Sequence, residues 1–426
     1  MANRDRIYLC LAHMSESGLE QKYIKEAFDT HWVVPLGPNV NGFEKDLEDY
    51  VNTNITNNAK ELSKRVVALS AGTAAVHLSL LDCGVGQGDE VLVQSFTFCA
   101  SSHPVTYLGA QPVFVDSDPQ SWNMDPALLD EAIRDRMAKT GRKPKAVVPV
   151  ALYGMPYDID AIMEVAGRYG IPVVEDAAEG FGSRWNGQVL GTFGRYGVLS
   201  FNGNKMITTS GGGALICPDD ESWNRIMWYA TQAREAYPYY QHEAIGYNYR
   251  MSNICAGIGR GQMTVADQHI AHHKHIQRLY EEAFKGIDGI NVHCNPDSRY
   301  DSNYWLCTIV LDERLHVKGQ ERAYGEAVSG AVGGAGGVVH GGGGLHTDCE
   351  PNANVEAMRV YLDQKGIEAR PLWKPMHKQP VYAGAPAYVN GVSESFFRCG
   401  MCLPSGPMVS DDDVAYIVAC IREAIA

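Results

Sequence analysis

The chain has 426 residues, 45% of them hydrophobic and 20% charged, which suits a soluble globular protein of two domains, or of one large domain with a smaller companion. A formal net charge of −14 argues against sequence-independent nucleic-acid binding, which needs clustered Lys and Arg, and means that any anionic substrate is caught by local donors. No apolar run approaches the length of a membrane span, Met1 to His13 carries no secretory pattern, and eleven cysteines without a framework suit a reducing cytoplasm.

Leu19 to Phe28 places Tyr23, Ile24, Ala27 and Phe28 at helical spacing, and Asp29 and Thr30 end the pattern. Trp32 to Pro38 holds two prolines and a glycine and cannot be helical; an amphipathic helix resumes over Phe43 to Val51. Val66 to Leu69 reads as a strand, and Ala71-Gly72-Thr73-Ala74-Ala75 leads into a helix over Val76 to Leu81. A strand, a tight turn and a helix N-terminus make an anion site, because unpaired N–H groups point at the ligand.

Glu90 to Gln94 is the next expected strand, and Ser95 to Phe98 reads as the opening of a helix. Pro112 to Asp116, Ala146 to Val150 and Ile171 to Glu175 are further strands, with helices over Pro126 to Lys139 and Asp158 to Tyr169 between them. This alternation predicts an α/β fold with a mostly parallel sheet covered on both faces. Gly197 to Phe201 and Ala214 to Ile216 flank a glycine-rich bend. The long polar helix expected at Val265 to Phe284 divides the chain into a large domain, 1–264, and a smaller α/β domain, 265–426. The latter carries Trp305 to Leu311, Val355 to Lys365 and Asp411 to Ala426. Residues 325–352 are glycine-rich with no core pattern and read as a flexible surface insertion without catalytic residues.

The chemistry centres on Ser200 to Gly213, Ser-Phe-Asn-Gly-Asn-Lys-Met-Ile-Thr-Thr-Ser-Gly-Gly-Gly, where Lys205 has no acidic neighbour within seven residues. A lysine held rigidly on such a bend is a candidate nucleophile toward a carbonyl; a solvated loop lysine is the plainer alternative. Asp176, 29 residues earlier, ends an apolar strand, where open α/β sheets place ligand contacts. Its carboxylate would suit a protonated pyridine nitrogen, or else caps a helix. Lys205, Asp176, the Gly72-Thr73 turn and the aromatic Phe98 together describe a pyridoxal phosphate site. The run His269, His272, His273, His275 reads as a solvated helix face in preference to a metal site, and Cys399-Gly400-Met401-Cys402 as two buried thiols near a turn.

Leu69 to Leu80, Ser95 to Ala100, Val173 to Ser183 and Ser200 to Gly213 resemble the signature blocks of the DegT/DnrJ/EryC1/StrS nucleotide-sugar aminotransferases, from about Ser15 to the C-terminus outside the glycine-rich insertion. The resemblance implies fold type I, the architecture of aspartate aminotransferase. Gly246 to Arg250 and Glu368 to His377 are most similar to the bacillosamine-pathway enzymes, which aminate C4 of a UDP-4-keto-6-deoxy-N-acetylhexosamine with L-glutamate as donor. By this resemblance Lys205 bonds covalently to pyridoxal 5′-phosphate, Asp176 pairs with its ring nitrogen and Phe98 stacks on the ring. Gly72, Thr73 and Ser200 hold the phosphate, Asn202 is a further cofactor contact, and Glu179, where many relatives have glutamine, lies near the 3-hydroxyl. Asn248 reaches the cofactor of a partner subunit, which implies a homodimer with shared sites. Trp32, Val33, Val34 and Pro35, with Arg370, Pro371, Leu372, Trp373, Lys374 and His377, approach the sugar nucleotide. Neither a membrane nor a nucleic acid is expected as partner. The rival readings are a family member acting on another keto sugar or a keto-cyclitol, the dehydratase branch, against which Lys205 argues, and a nucleotide-binding module using Gly211 to Gly213. No Gly-Lys-Ser/Thr follows those glycines.

Overall fold

The computed structural model describes residues 6–53, 63–323 and 349–425. Its centre is a sheet built from two four-stranded halves. One half has the order Arg65–Leu69, Gly213–Cys217, Tyr196–Ser200, Val174–Asp176; the other has Ala146–Val148, Glu90–Gln94, Gln111–Val115, Ala387–Tyr388. Parallel bridges from Val147 to Val173 and from Val150 to Asp176 join the halves into one mixed sheet. Pairing is parallel from Tyr196–Ser200 across to Ala387–Tyr388, and Gly213–Cys217 runs antiparallel to both of its neighbours. The cores of the parallel strands are runs of Val, Leu and Phe, such as Val91-Leu92-Val93 and Val113-Phe114-Val115, because both of their faces are covered.

A second apolar cluster gathers residues from the C-terminal third. Helices Ala266–Phe284, Ala353–Gln364 and Asp411–Ile425 supply one part, and the antiparallel strands Ile290–Val292, Cys307–Leu311 and Gly400–Leu403 the other. Ile7 joins this cluster and bridges to Ile367, so the N-terminal arm crosses onto the far part of the chain. Among the described residues no helix is long and apolar enough to cross a membrane.

Several local expectations shift. Ser95 to Phe98 is not the start of a helix: an irregular segment leads into a short turn at Cys99–Ser101 and the helix His103–Tyr107. The strand expected at Ile171 to Glu175 lies at Val174–Asp176, displaced by Pro172. The helix expected from Phe43 begins at Pro38, a residue that fits the first turn because its missing N–H would have no partner there. The histidine run is not a solvated face: His269 and His273 are buried, and their Nδ1–H groups donate to the carbonyls of Met206 and Tyr304. Among the described residues no cluster suits a metal ion. Cys399 and Cys402 are free and buried, as expected. Of the glycine-rich insertion, residues 325–348 lie outside the described residues. Its expected C-terminal end is part of the packed structure, since Cys349 is 2% exposed and Asn352 caps the helix Ala353–Gln364.

Candidate active site

The strand Arg65–Leu69 delivers the chain through Ser70 and Ala71 into the helix Gly72–Asp82. Ala71 stands at the N-cap in an extended conformation and brings no side chain to cap the helix. The first N–H groups therefore face a cavity of about 340 Å³, lined there by Ser70, Gly72, Thr73, Ser200, Gly211 and Gly212. Close approach makes the cradle: a Cβ on Gly213 would lie 2.3 Å from the Gly72 nitrogen. Only glycine permits strand and helix end to meet so tightly.

Asp176 enters from the C-terminal end of its parallel strand and is buried. Its Oδ2 accepts from Ser101 Oγ at 2.6 Å and its Oδ1 from the Ala178 N–H at 3.1 Å, and Ser101 Oγ is itself 2.8 Å from Thr97 Oγ1. Burial raises the Asp176 carboxyl above its ordinary value against these hydrogen bonds and the Lys205 charge. Three residues on, Glu179 is 4% exposed. Its Oε1 accepts from Lys205 Nζ at 3.1 Å and its Oε2 from the Tyr153 N–H at 2.7 Å. Burial pushes the Glu179 carboxyl up to about 7, outweighing the lysine charge and the hydrogen bonds that favour ionisation.

Lys205 sits where the chain turns after the strand Tyr196–Ser200: its N–H donates to the Asn202 carbonyl at 3.0 Å, and Phe201 and Gly212 close the bend at 2.9 Å. Its side chain is 13% exposed, and Nζ lies 4.0 Å from the ring centroid of Trp305. Phe98 and Trp373 stand with ring centroids 5.4 Å apart on the same cavity, and Tyr153 packs on Trp373 at 5.1 Å.

This constellation can hold a phosphate on uncapped N–H groups, set a buried carboxylate against a cationic ring nitrogen, and present an amine to a carbonyl carbon. The residues present therefore fit pyridoxal phosphate. The buried Asp176 is the sharpest criterion, since such a carboxylate is costly without a cation and a pyridinium supplies one.

Of the residues expected from sequence, Gly72, Thr73, Phe98, Asp176, Glu179, Ser200, Asn202, Lys205 and Trp373 line the one cavity. Others lie elsewhere. Trp32, Val33 and Val34 are on the surface, 40 to 48% exposed, with Pro35 beside them, and Asn248 is exposed too. Leu372 is 2% exposed and packs on Gly400, so this expected substrate contact is a core residue. His377 has both ring nitrogens engaged, Nδ1 with Ser95 Oγ at 2.6 Å and Nε2 with Glu394 at 3.1 Å. Arg370 pairs with Glu368 at 2.7 Å, and it, Pro371 and Lys374 do not line the cavity. Thr97, Ser101, Tyr153 and Trp305 escaped sequence reasoning. Thr97 and Ser101 offered a faint signal, two hydroxyls four residues apart, whereas Trp305 meets the site across a hundred residues.

Comparison with known proteins agrees with this geometry. Residues 15–326 and 345–422 match the DegT/DnrJ/EryC1/StrS aminotransferase family. EpsN of Bacillus subtilis (strain 168), whose name gives it as a pyridoxal phosphate-dependent aminotransferase, is 40% identical over 97% of this chain and 94% of its own. GDP-perosamine synthase of Escherichia coli O157:H7 is 32% identical, covering 98% of each chain. Among solved structures, a DegT DnrJ EryC1 StrS aminotransferase from Brucella abortus superposes with a TM-score of 0.80 at 26% identity, covering 96% of each chain.

Proposed function

Because the chain belongs to the DegT/DnrJ/EryC1/StrS aminotransferase family, and so is a fold type I, pyridoxal phosphate-dependent aminotransferase of nucleotide sugars, we propose that it aminates C4 of a UDP-linked 4-keto-6-deoxy-N-acetylhexosamine with L-glutamate as donor. The observation that carries the chemistry is Lys205 Nζ, 3.1 Å from Glu179 in a cavity that also holds Asp176 and the uncapped N-terminus of the helix Gly72–Asp82. In this reading Lys205 bonds to the cofactor, Asp176 holds the ring nitrogen protonated and Phe98 covers a ring face. Gly72, Thr73 and Ser200 take the phosphate, Asn202 is a further cofactor contact on the cavity wall, and Glu179 stands near the 3-hydroxyl.

When bound, pyridoxal phosphate supplies the electron sink that makes the carbon bearing the donor nitrogen acidic. Lys205 Nζ, released from its covalent role, would take the proton from that carbon and deliver it to the cofactor carbon that carries the nitrogen, so that the amino group stays with the cofactor. Asp176 works by charge alone, keeping the ring cationic from a site shielded by Ser101 and Thr97. In the second half-reaction the keto sugar exchanges its carbonyl for the amino group, with the Lys205 amine moving the proton in the reverse sense, which makes the cycle ping-pong.

The choice of sugar is supported by the blocks Gly246 to Arg250 and Glu368 to His377. The segment Trp32 to Pro35 and, apart from the core residue Leu372, the segment Arg370 to Lys374, with Trp373 on the cavity, are the candidate sugar-nucleotide contacts. Exposed apolar residues support a homodimer whose partner supplies Asn248: Phe28, Leu36, Tyr240 and Ile245 are 53 to 83% exposed. The likeness to GDP-perosamine synthase favours a second reading, a GDP-linked keto sugar. Incubating the enzyme with L-glutamate and either a UDP-linked 4-keto-6-deoxy-N-acetylhexosamine or a GDP-linked keto sugar, with product mass as readout, separates the two. Amination of the GDP sugar alone overturns the UDP assignment.

A further inference from the structure

Trp305 comes from the C-terminal third of the chain, yet it is 2% exposed and its ring lies under the reactive lysine. Three hydrogen bonds fix it. Its N–H donates to Asn303 Oδ1 at 2.8 Å, its carbonyl accepts from Ser405 Oγ at 2.9 Å, and its indole Nε1–H donates to the Asn204 carbonyl at 2.7 Å. The last of these ties the ring to the residue that precedes Lys205. Asn303 does more than hold Trp305: its Nδ2 donates to the carbonyls of Glu179 at 2.8 Å and Phe181 at 2.9 Å. One fully buried amide therefore sets the tryptophan and the glutamate in a common frame. Two residues of this frame take the left-handed region, Tyr304 at φ 50° and Tyr153 at φ 53°. A non-glycine residue is strained there, and surrounding contacts must maintain it. Tyr153 uses that conformation to aim its N–H at Glu179 Oε2.

We propose that Trp305 is a positioning residue for Lys205: its ring face, together with the Glu179 carboxylate, seats the lysine ammonium whenever Nζ has no covalent partner. This rests on Lys205 being the cofactor-bearing amine. An ammonium over an indole face is attracted by the ring quadrupole, most strongly where water is excluded. From this seat one proton passes from Nζ to Glu179 Oε1, leaving a neutral amine and a neutral carboxyl, and the neutral amine is the base that acts next. The other titratable groups facing the pair are Asp176, the Tyr153 phenol and the thiols of Cys10 and Cys402. Burial holds Cys10 up to about 12 and raises Tyr153 and Cys402 as well, so these three stay protonated at neutral pH. Asp176 is engaged by Ser101 and Ala178, which leaves Glu179 as the proton partner. A glutamine at this position would accept the ammonium hydrogen bond without taking its proton.

The test uses the holoenzyme in two forms. First, borohydride reduction of the pyridoxal phosphate form, followed by peptide mass spectrometry, locates the cofactor; attachment at any residue other than Lys205 overturns the site reading and this inference with it. Second, holoenzyme loaded with pyridoxamine 5′-phosphate is treated with acetic anhydride at fixed pH, and acylation of Lys205 is measured against Lys274 as internal reference. In Trp305→Leu and in Glu179→Gln the relative acylation of Lys205 rises about tenfold, the equivalent of a lost desolvated cation–π or charged contact. In Trp305→Phe, which keeps a ring face, it stays within about threefold of wild type. In steady-state turnover Trp305→Leu lowers kcat and leaves the KM for the sugar nucleotide unchanged. If reduction labels Lys205 but Trp305→Leu and wild type acylate alike, the seat does not exist. If Trp305→Leu disturbs all lysines equally, the variant has lost its fold, and the Phe and Gln variants decide: acylation raised in Trp305→Phe, or unchanged in Glu179→Gln, overturns the proposal.

Discussion

Asp176 and Glu179 are two buried carboxylates three residues apart, and their neighbours separate their roles. Asp176 is held by a hydroxyl and an N–H that favour its ionised form, whereas Glu179 meets Lys205, the one cation among the described residues of the cavity wall. Ser101→Ala removes a hydrogen bond to a charged group, a loss of about 1.5–3 kcal/mol, so pyridoxal phosphate affinity falls at least tenfold. Fluorescence titration of cofactor checks it. Lys205→Ala abolishes both transamination and the borohydride-sensitive yellow band, and full turnover by that variant sinks the assignment of Lys205. Glu179 gives a pH signature. Its folded value of about 7 lies above its ordinary value of 4.5, so it contributes stability that is present below pH 4.5 and lost as pH rises through 7. Thermal melts of the cofactor-free protein therefore show wild type losing stability relative to Glu179→Gln between pH 5 and 7.5; parallel curves refute the shift. Lys205, Asp176, Gly72 and Thr73 were legible because each stands in a local pattern, a strand end or a helix start. Trp305 and Tyr153 were not, since their importance comes from contacts between distant segments and from a left-handed backbone that no local propensity announces.

At the scale of elements, alternation of apolar runs with helical spacing was enough to locate the parallel strands to within a few residues, because burial on both faces writes itself as short runs of Val with Leu or Phe. Elements built on glycine were hidden. The helix Asn253–Met263 carries Gly257, Gly259 and Gly261, residues that weaken a helix by propensity and removed it from the sequence reading. The structure shows why they are there. A Cβ on Gly259 would stand 2.7 Å from the Phe43 ring and 2.9 Å from Thr209 Cγ2; one on Gly261 would stand 2.6 Å from Glu20. The helix packs this closely against Leu19–Asp29 and Pro38–Asn52, and Thr209 lies within the loop that bears Lys205, its N–H donating to the Phe201 carbonyl. Gly259→Val is therefore overpacked at a site without slack and loses about 1–3 kcal/mol in urea unfolding. An unchanged midpoint would mean that the three helices separate easily.

On the scale of the whole molecule, the chain closes on itself repeatedly: Ala387–Tyr388 returns to the edge of the central sheet, and His377 locks between Ser95 and Glu394. Such closures secure the cavity wall formed by Trp373, but they leave Asn248 on the surface and away from the cavity of its own chain. Tyr237, Tyr239, Tyr240 and Ile245 on the same segment are 46 to 83% exposed, and so are Phe28, Val33 and Leu36 at 48 to 57%. Exposed apolar groups in this number are what an isologous interface buries. If the partner's cavity is where Asn248 acts, two defective variants must repair one another. Lys205→Ala lacks the amine and Asn248→Ala lacks the cross-subunit contact; in a mixed dimer one site carries both lesions and the other carries neither. After unfolding and reassembly of equal amounts, half of the dimers are mixed and turnover recovers to about a quarter of wild type. Each variant refolded alone stays inactive and sets the baseline. Normal cofactor affinity and activity in Asn248→Ala alone, or a mixture no more active than the sum of its parts, would show that each chain completes its own site.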